Sequence, residues 1–585
     1  MLYADTKYIQ EVRELESILQ KLAQLDPAYI RIFLASMRFI APALAAFLLW
    51  RCLSPLVTFR REPEIWGWLQ SVDGSKKPLT HWENIIGRSK SSDVVIDFPT
   101  VSRNHAVLTR YDDGSWTVTD AGSKSGTLVN GEKIQIHALQ DGDVINIGGL
   151  DMELVPITAN QKRIQAKYRS RYGVGIDSAA NLLLLTMFQA LVCLSFLLTG
   201  KQEYHQSMMQ GFGAIAAMEW ILLIFYLAIR RSSFEVETVA FFLCTMGMAV
   251  ICTVVPGETM KQLISMVLGV GFFLIVGWSL RDLERAKKVR YIATVLGVGL
   301  LVFTLIFGDQ QNGAKAWIRI AGMNLQPSEI SKVCFVYAGA SAMDRLMKKR
   351  NLILFIVYSA AICGCLALMN DFGTALIFFV AFLIIAFMRS GSVGTIGLAC
   401  TALGYAGVIA VKIAPHALSR FTSWRHIWED VQGAGFQQTR AIMCIAAGGL
   451  FGLGANQGKM KNYFAADSDI IFATVSEEWG LLMAVMMVVA VVALAVFTIR
   501  SASMGRSSFY VIGSCTAAAI MLAQAILNAL GTVDVMPFTG VTFPFVSNGG
   551  SSMIGAWGLL AFIKAADTRQ NASFAVRTPG KEALE

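Results

Sequence analysis

The feature that most constrains this chain is the recurrence, from Asp177 to the C-terminus, of apolar stretches of about 20 residues separated by short polar turns. Each is the length a helix needs to cross the hydrocarbon of a bilayer, and a soluble domain cannot bury a long succession of them. Composition agrees: 55% of the 585 residues are hydrophobic and 16% are charged, with a mean hydropathy of +0.53. A string of soluble domains is excluded, and a polytopic α-helical membrane protein is expected. The first thirty or so residues are mixed and charged rather than basic then apolar, so insertion is expected to rely on internal helices.

The formal charge of +9 does not point to nucleic acid. Lys and Arg cluster at helix ends, as in Arg230-Arg231, Lys287-Lys288 and Lys348-Lys349-Arg350, which is a topology signal. The ten cysteines lie mostly in apolar segments without metal-ligand spacing and read as small core side chains.

Changes in character divide the chain. An N-terminal segment (1–31) precedes a first membrane segment (32–50). A β domain (60–157) follows, then a basic linker (158–176) and two membrane helices (177–231). About ten further helices make a core (235–567), and a short tail closes the chain (568–585). The β domain shows short alternating runs such as Asp93-Val-Val-Ile-Asp97, punctuated by Asp113-Gly114, Asn130-Gly131 and Asp141-Gly142, which suggests a sandwich. Lys162, Arg163, Lys167, Arg169 and Arg171 place that domain and the tail in the cytoplasm. Alternation of sides then puts the polar segments near 309–328, 414–468 and 532–549 outside. The first membrane segment either crosses outward-to-inward or lies in the interface.

Within the β domain, Gly87-Arg88-Ser89, Ser102-Arg103-Asn104-His105 and Ser123 through Asn130-Gly131 supply an arginine fork, hydroxyls and loop amides, the parts that hold a phosphate dianion. Over about ninety residues the stretch resembles a forkhead-associated (FHA) domain, a reader of phosphothreonine peptides. The resemblance implies an all-β FHA-like sandwich in which Arg88 and Ser102 contact phosphate, with Arg103, Lys124 and Ser125 lining the peptide site. It implies framework roles for Gly87 and His105 and a loop brace at Asn130. Ser125 stands where the family usually has asparagine. A phosphothreonine-containing protein and a Ser/Thr kinase pathway are the implied partners.

Charged and polar residues beside membrane helices are functional candidates. Four groups stand out, all on the expected outer face: Gly313 to Ile318 with Gln326-Pro-Ser-Glu329-Ile-Ser-Lys332; Asn370-Asp371-Phe-Gly-Thr; a long segment from Ser419 to Glu478; and Met536 to Ser552. Pro327 suits a first helical turn, and Glu329 and Lys332 are spaced to share a helix face. The glycines at 448, 449, 452 and 454 are expected to allow close packing, because no P-loop lysine spacing is present.

These groups resemble the SEDS (shape, elongation, division and sporulation) family of FtsW, RodA and SpoVE, from Val236 to about Ala565. The resemblance implies a ten-helix core, with about three extra N-terminal helices and the FHA-like module outside it. It implies polymerisation of peptidoglycan glycan strands from lipid II at the outer leaflet, beside a class B penicillin-binding transpeptidase. Joining two lipid-linked disaccharides needs a base for the acceptor 4-hydroxyl and stabilisation of the departing diphosphate. Asp469 matches the family's essential aspartate and is expected to be the base or the ligand of an assisting divalent cation such as Mg or Mn. Arg420, Arg425, Lys459 and Lys461 are the expected diphosphate contacts, with Glu329, Lys332, Asp371, Gln437 and Ser547 lining the cavity. The donor and product configurations of the family imply one inverting displacement. Rival readings are a lipid II flippase and a non-catalytic scaffold, and the choice between elongation and division stays open.

Overall fold

The computed structural model describes residues 26–58, 65–158, 160–161, 176–281, 283–344, 349–502 and 507–567, apart from thirteen residues within those spans (82, 91, 111–113, 230, 232, 312, 321–322, 391–392 and 414). The basic run from Lys162 to Arg171 and the expected tail lie outside the described residues.

Helix α1 spans Pro27–Thr58, longer at both ends than the apolar run that signals it. Pro42 and Pro55 sit inside it, which a helix packed among neighbours can tolerate. It lies against the later helices Ile176–Thr199 and Leu481–Ala502, so it is a member of the bundle.

The β domain is a sandwich of two sheets, one of β2 (Lys76–Leu79), β1 (Gly67–Ser71), β11 (Leu150–Pro156), β10 (Val144–Ile147), β7 (Thr127–Val129) and β8 (Glu132–Ile134) in that order, the other of β4 (Val94–Val95), β3 (Glu83–Gly87), β5 (Ala106–Arg110), β6 (Trp116–Asp120) and β9 (Ile136–Leu139). Strands β1 (Gly67–Ser71) through β11 (Leu150–Pro156) are two to seven residues long. Alternation drives the closure: Leu69, Ile86, Leu108, Val118, Ile145 and Ile147 are fully buried between the sheets, while neighbours such as Trp68, Gln70, Thr117, Thr119 and Asn146 are less covered.

Two long helices follow, α2 (Ile176–Thr199) and α3 (His205–Ala228). Ten helices of 16 to 25 residues make the core among the described residues: α4 (Glu235–Val254), α5 (Thr259–Leu280), α6 (Leu283–Phe307), α7 (Ser328–Asp344), α8 (Lys349–Leu368), α9 (Phe372–Ser390), α10 (Val393–Ile413), then α14 (Leu481–Ala502), α15 (Ser508–Thr532) and α16 (Gly550–Ala565). Between α10 and α14 lie three shorter helices, α11 (Pro415–Ser423), α12 (Phe436–Gly448) and α13 (Ile471–Trp479). The loop between α6 and α7 folds into a three-stranded antiparallel sheet, β12 (Asp309–Gln311), β13 (Ala314–Ile320) and β14 (Met323–Leu325).

A buried ion pair between α4 and α16 of the core takes a hydrogen bond from the added helix α3. Lys564 Nζ lies 3.0 Å from Glu237 Oε2, both side chains fully buried, and Tyr226 of α3 donates to the other carboxylate oxygen at 2.9 Å. The FHA sandwich meets the core at the start of α15, where Ser508 Oγ donates to the Glu83 carboxylate of β3.

Candidate active site

The opposite end of the bundle holds a cavity of about 370 Å³. Four helices begin at its wall: Lys261 and Gln262 in the first turn of α5, Glu329 and Lys332 on α7, Phe372 to Thr374 on α9, and Gly550 on α16 all line it. Helix starts carry partial positive charge from unpaired amides. Such a wall tolerates carboxylates and attracts anions.

The four polar groups separated in sequence close on one another here. Gln326 Nε2 donates to Asp371 Oδ2 at 3.0 Å, and the Gln326 amide donates to Ser551 Oγ at 2.8 Å. Asp371 caps α9 through the Thr374 amide at 3.1 Å. Below them, Lys332 Nζ and Glu329 Oε2 lie 2.7 Å apart with almost no exposure, a fixed pair at the cavity floor.

Asp469 sits on the loop before α13, and its backbone is held on two sides. Asn528 of α15 donates to the Asp469 carbonyl at 2.9 Å and to the Val541 carbonyl at 2.8 Å. Ser547 Oγ donates to Ser468 O at 2.8 Å, and Asn548 contributes its amide to Asp467 O at 2.8 Å and its side chain to Asp467 Oδ2 at 2.7 Å. Gly540, at φ +66, lies between Asp469 and Arg420: a Cβ there would stand 3.3 Å from Asp469 Oδ2 and 3.8 Å from Arg420 Nη2. Arg420 is aimed by its bond to Thr539 O at 3.0 Å.

The Asp469 carboxyl is pushed up to about 7, first by desolvation, with Arg420 pulling it down and Asp467 and Asp371 pushing it further up. The side chain is only partly covered where it meets the cavity, so the desolvation is that of a narrow polar pocket. A carboxyl near neutrality is equipped to accept a proton at physiological pH.

Of the residues singled out in the sequence, Asp469, Arg420, Glu329, Lys332 and Asp371 line this cavity. Five do not. Arg425 stacks over Trp424 with its centre 5.2 Å from the ring, and its amide bonds Asp534. Lys459 is exposed outside the cavity. Lys461 Nζ is taken up by Asn456, 2.8 Å from its carbonyl and 2.7 Å from Oδ1. Gln437 reaches Phe464 O at 3.5 Å, and Ser547 is the loop anchor just described. Conversely Lys261, Gln262, Gln524 and Asn548 line the cavity without having been expected; Lys261, Gln262 and Gln524 are hidden in sequence by apolar neighbours on their helices. Among the described residues no three His, Cys, Asp or Glu side chains converge as a metal-ligand set.

Glu477 and Glu478, at the end of the third polar group, hold the glycine loop. Met460 N donates to Glu477 Oε2 at 2.7 Å, and Thr253 Oγ1 to Glu478 Oε2 at 2.7 Å. Gly448 and Gly452 pack so closely on α13 that a Cβ would lie 2.3 Å from Ser476 O and 2.2 Å from Glu478 O respectively.

In the β domain, three loops converge on one edge. Gly87 passes beneath Arg103, where a Cβ would be 2.1 Å from the Arg103 carbonyl. Buried His105 accepts from Ser102 N at Nδ1, 3.2 Å, and its Nε2 lies 3.2 Å from Gly126 O. Ser102 Oγ accepts from the Lys124 amide at 3.0 Å, and Ser125 Oγ lies 3.4 Å from Thr100 O. Arg88 and Arg103 flank these loops. Asn130, at φ +51, braces the next turn through Asp143 and Val144.

The family model for cell cycle proteins of the FtsW/RodA/SpoVE type matches residues 257–572, and that for the FHA domain matches residues 84–148. The peptidoglycan glycosyltransferase RodA of Mycobacterium tuberculosis H37Rv is 27% identical over 324 residues, 52% of this chain and 69% of its own. Stage V sporulation protein E of Bacillus subtilis is 32% identical over 276 residues, 43% of this chain and 72% of its own. A chain of a solved peptidoglycan synthase complex is 22% identical, covering 56% of this chain and 96% of its own at a TM-score of 0.47.

Proposed function

Because the chain belongs to the FtsW/RodA/SpoVE family and carries an FHA domain, we propose that it is a peptidoglycan glycosyltransferase polymerising lipid II at the outer leaflet, regulated by phosphothreonine read in the cytoplasm. The observation that carries this reading is Asp469, with its carboxyl raised to about 7, beside Arg420 at the wall of a polar cavity closed by four helix N-termini.

In the reaction, Asp469 takes the proton of the acceptor 4-hydroxyl as that oxygen attacks the donor's anomeric carbon. The bond from that carbon to the diphosphate oxygen breaks, and its electron pair leaves with the diphosphate. One displacement converts an α-linked donor into a β-linked product. Arg420, Lys261 and the helix N-termini offset the charge that grows on the leaving group, while Lys332 stays matched to Glu329. The Asp469 proton then passes to water.

The FHA sandwich and the cavity occupy opposite ends of α15, which fits a cytoplasmic reader and an external site. A class B penicillin-binding protein is the expected companion, since the new strand must be cross-linked. The test is purified protein with lipid II, with and without a transpeptidase, scored for glycan polymer. Polymer from wild type and none from Asp469→Asn is the expected result. Equal behaviour of the two, beside a working control polymerase, overturns the reading.

A further inference from the structure

The family match begins at residue 257, so α1, α2 and α3 lie outside it, yet α1 and α2 touch the loop that leads to Asp469. Between α12 and α13 the chain has no regular element beyond the 3-10 turn Met460–Asn462, and side-chain contacts must fix its course. Gly449, Gly452, Gly454 and Asn456 all take positive φ there. Asn456, at φ +60, is of the few L-residue types that accept this conformation routinely.

From that backbone position the Asn456 side chain faces two ways. Its Nδ2 donates to Thr199 O at 2.9 Å, a terminal carbonyl that α2 itself cannot satisfy. Its Oδ1 and carbonyl both accept from Lys461 Nζ, which closes the chain from 456 to 461. Met460, inside that closed segment, is pinned to Glu477. Aromatic contacts flank the brace: Phe39 of α1 meets Phe451 at 4.9 Å, and Phe196 of α2 meets Trp479 at 6.1 Å. Downstream of the brace, Phe464, Ala465, Asp467 and Asp469 form one side of the cavity, and Ala465 is itself at φ +59. A non-glycine residue persists in that conformation only where its surroundings over-determine it.

We propose that the added N-terminal helices are part of the catalytic scaffold, and that Asn456 is a positioning residue tying Thr199 to the loop that sets Asp469. The inference rests on the glycosyltransferase reading for its kinetic arm and on the fold alone for its exchange arm.

The test uses the full chain with Asn456→Gly and Asn456→Asp. Both keep the left-handed backbone; glycine removes the whole carboxamide, whereas aspartate keeps the acceptor for Lys461 and loses only the donor to Thr199. In both, kcat for lipid II polymerisation falls about fivefold, the factor expected of one lost hydrogen bond. KM stays unchanged, and the ascending pH limb belonging to Asp469 moves. Hydrogen exchange of residues 456–470 quickens in both, while α14 and α15 keep wild-type protection. Wild-type kcat and pH limb in both variants overturn the proposal. Loss in the glycine variant alone assigns the effect to the Lys461 closure and also overturns it. If wild type makes no polymer, the glycosyltransferase reading fails separately. Exchange then decides the brace: faster in both variants supports it, and unchanged protection of 456–470 overturns it.

Discussion

Replacing Arg420 by glutamine removes the one cation that pulls the Asp469 carboxyl down. The point 3.3 Å from Asp469 Oδ2 and 3.8 Å from Arg420 Nη2 bounds their separation at about 7 Å. Coulomb's law at that distance gives about 2.4 kcal/mol at an effective dielectric of about 20 and about 0.6 kcal/mol in bulk water. Arg420 is exposed, so the screened end applies, and the carboxyl should rise by about 0.5 to 1 unit above its value of about 7. A base works when deprotonated, so activity falls as pH drops through this value. In Arg420→Gln the ascending limb moves to about 7.5 to 8, the ionised fraction at pH 7 falls from about one half to between a quarter and a tenth, and the rate there drops about two- to fivefold. At pH 9 this ionisation part of the loss disappears, leaving only the pH-independent part that belongs to leaving-group charge. The assay is the initial rate of glycan polymer formation from about pH 5.5 to 9.5 at fixed ionic strength, with Arg420→Lys as the control that keeps the charge. A limb that superimposes on wild type once rates are normalised at pH 9 refutes the hold of Arg420 on the Asp469 carboxyl.

Breaking the buried Glu329–Lys332 pair with Glu329→Gln should cost about 3–5 kcal/mol by leaving a buried ammonium unmatched; Glu329→Gln with Lys332→Met should recover most of the lost thermal stability, measured by Tm in detergent. Gly452→Ala places a methyl 2.2 Å from Glu478 O at φ +76, so it should destabilise by about 2 kcal/mol or more; an unchanged Tm would show that the loop gives way freely. Arg88→Ala should abolish binding of a phosphothreonine peptide in calorimetric titration while the sandwich stays folded; equal affinity would remove phosphate reading from this domain.

Much of the fold was legible because its signals are long. Apolar runs of about 20 residues identify membrane helices, and alternation with Asn130-Gly131 and Asp141-Gly142 turns identifies the sandwich. The small sheet at Asp309–Leu325 was not, since its strands are three to seven residues long and carry no sustained period. Within the site, the Glu329–Lys332 spacing could be read from local pattern, and Asp469 from its match to the family's motif. Lys459 and Lys461 misled for a physical reason: a loop lysine reveals its charge in sequence but not its partner, and Lys461 is spent on Asn456. Gln524 and Gln262 were invisible because one polar residue barely alters the hydropathy of a helix that is otherwise apolar.

Helix α15 has a consequence for how the two halves of the molecule can communicate. Its 25 residues extend about 37 Å at 1.5 Å per residue. The Glu83 contact is at one end and the Asn528 hold on Asp469 near the other. Over that span a phosphate of about −2 acts on a unit charge with at most about 1 kcal/mol at an effective dielectric of about 20, and salt, with a screening length of about 10 Å, removes most of that. A phosphate arriving at the sandwich is therefore not felt at the cavity as a field. It can act as a lever, by displacing a rod that is stiff along its axis, or as a tether, by bringing another protein to the membrane.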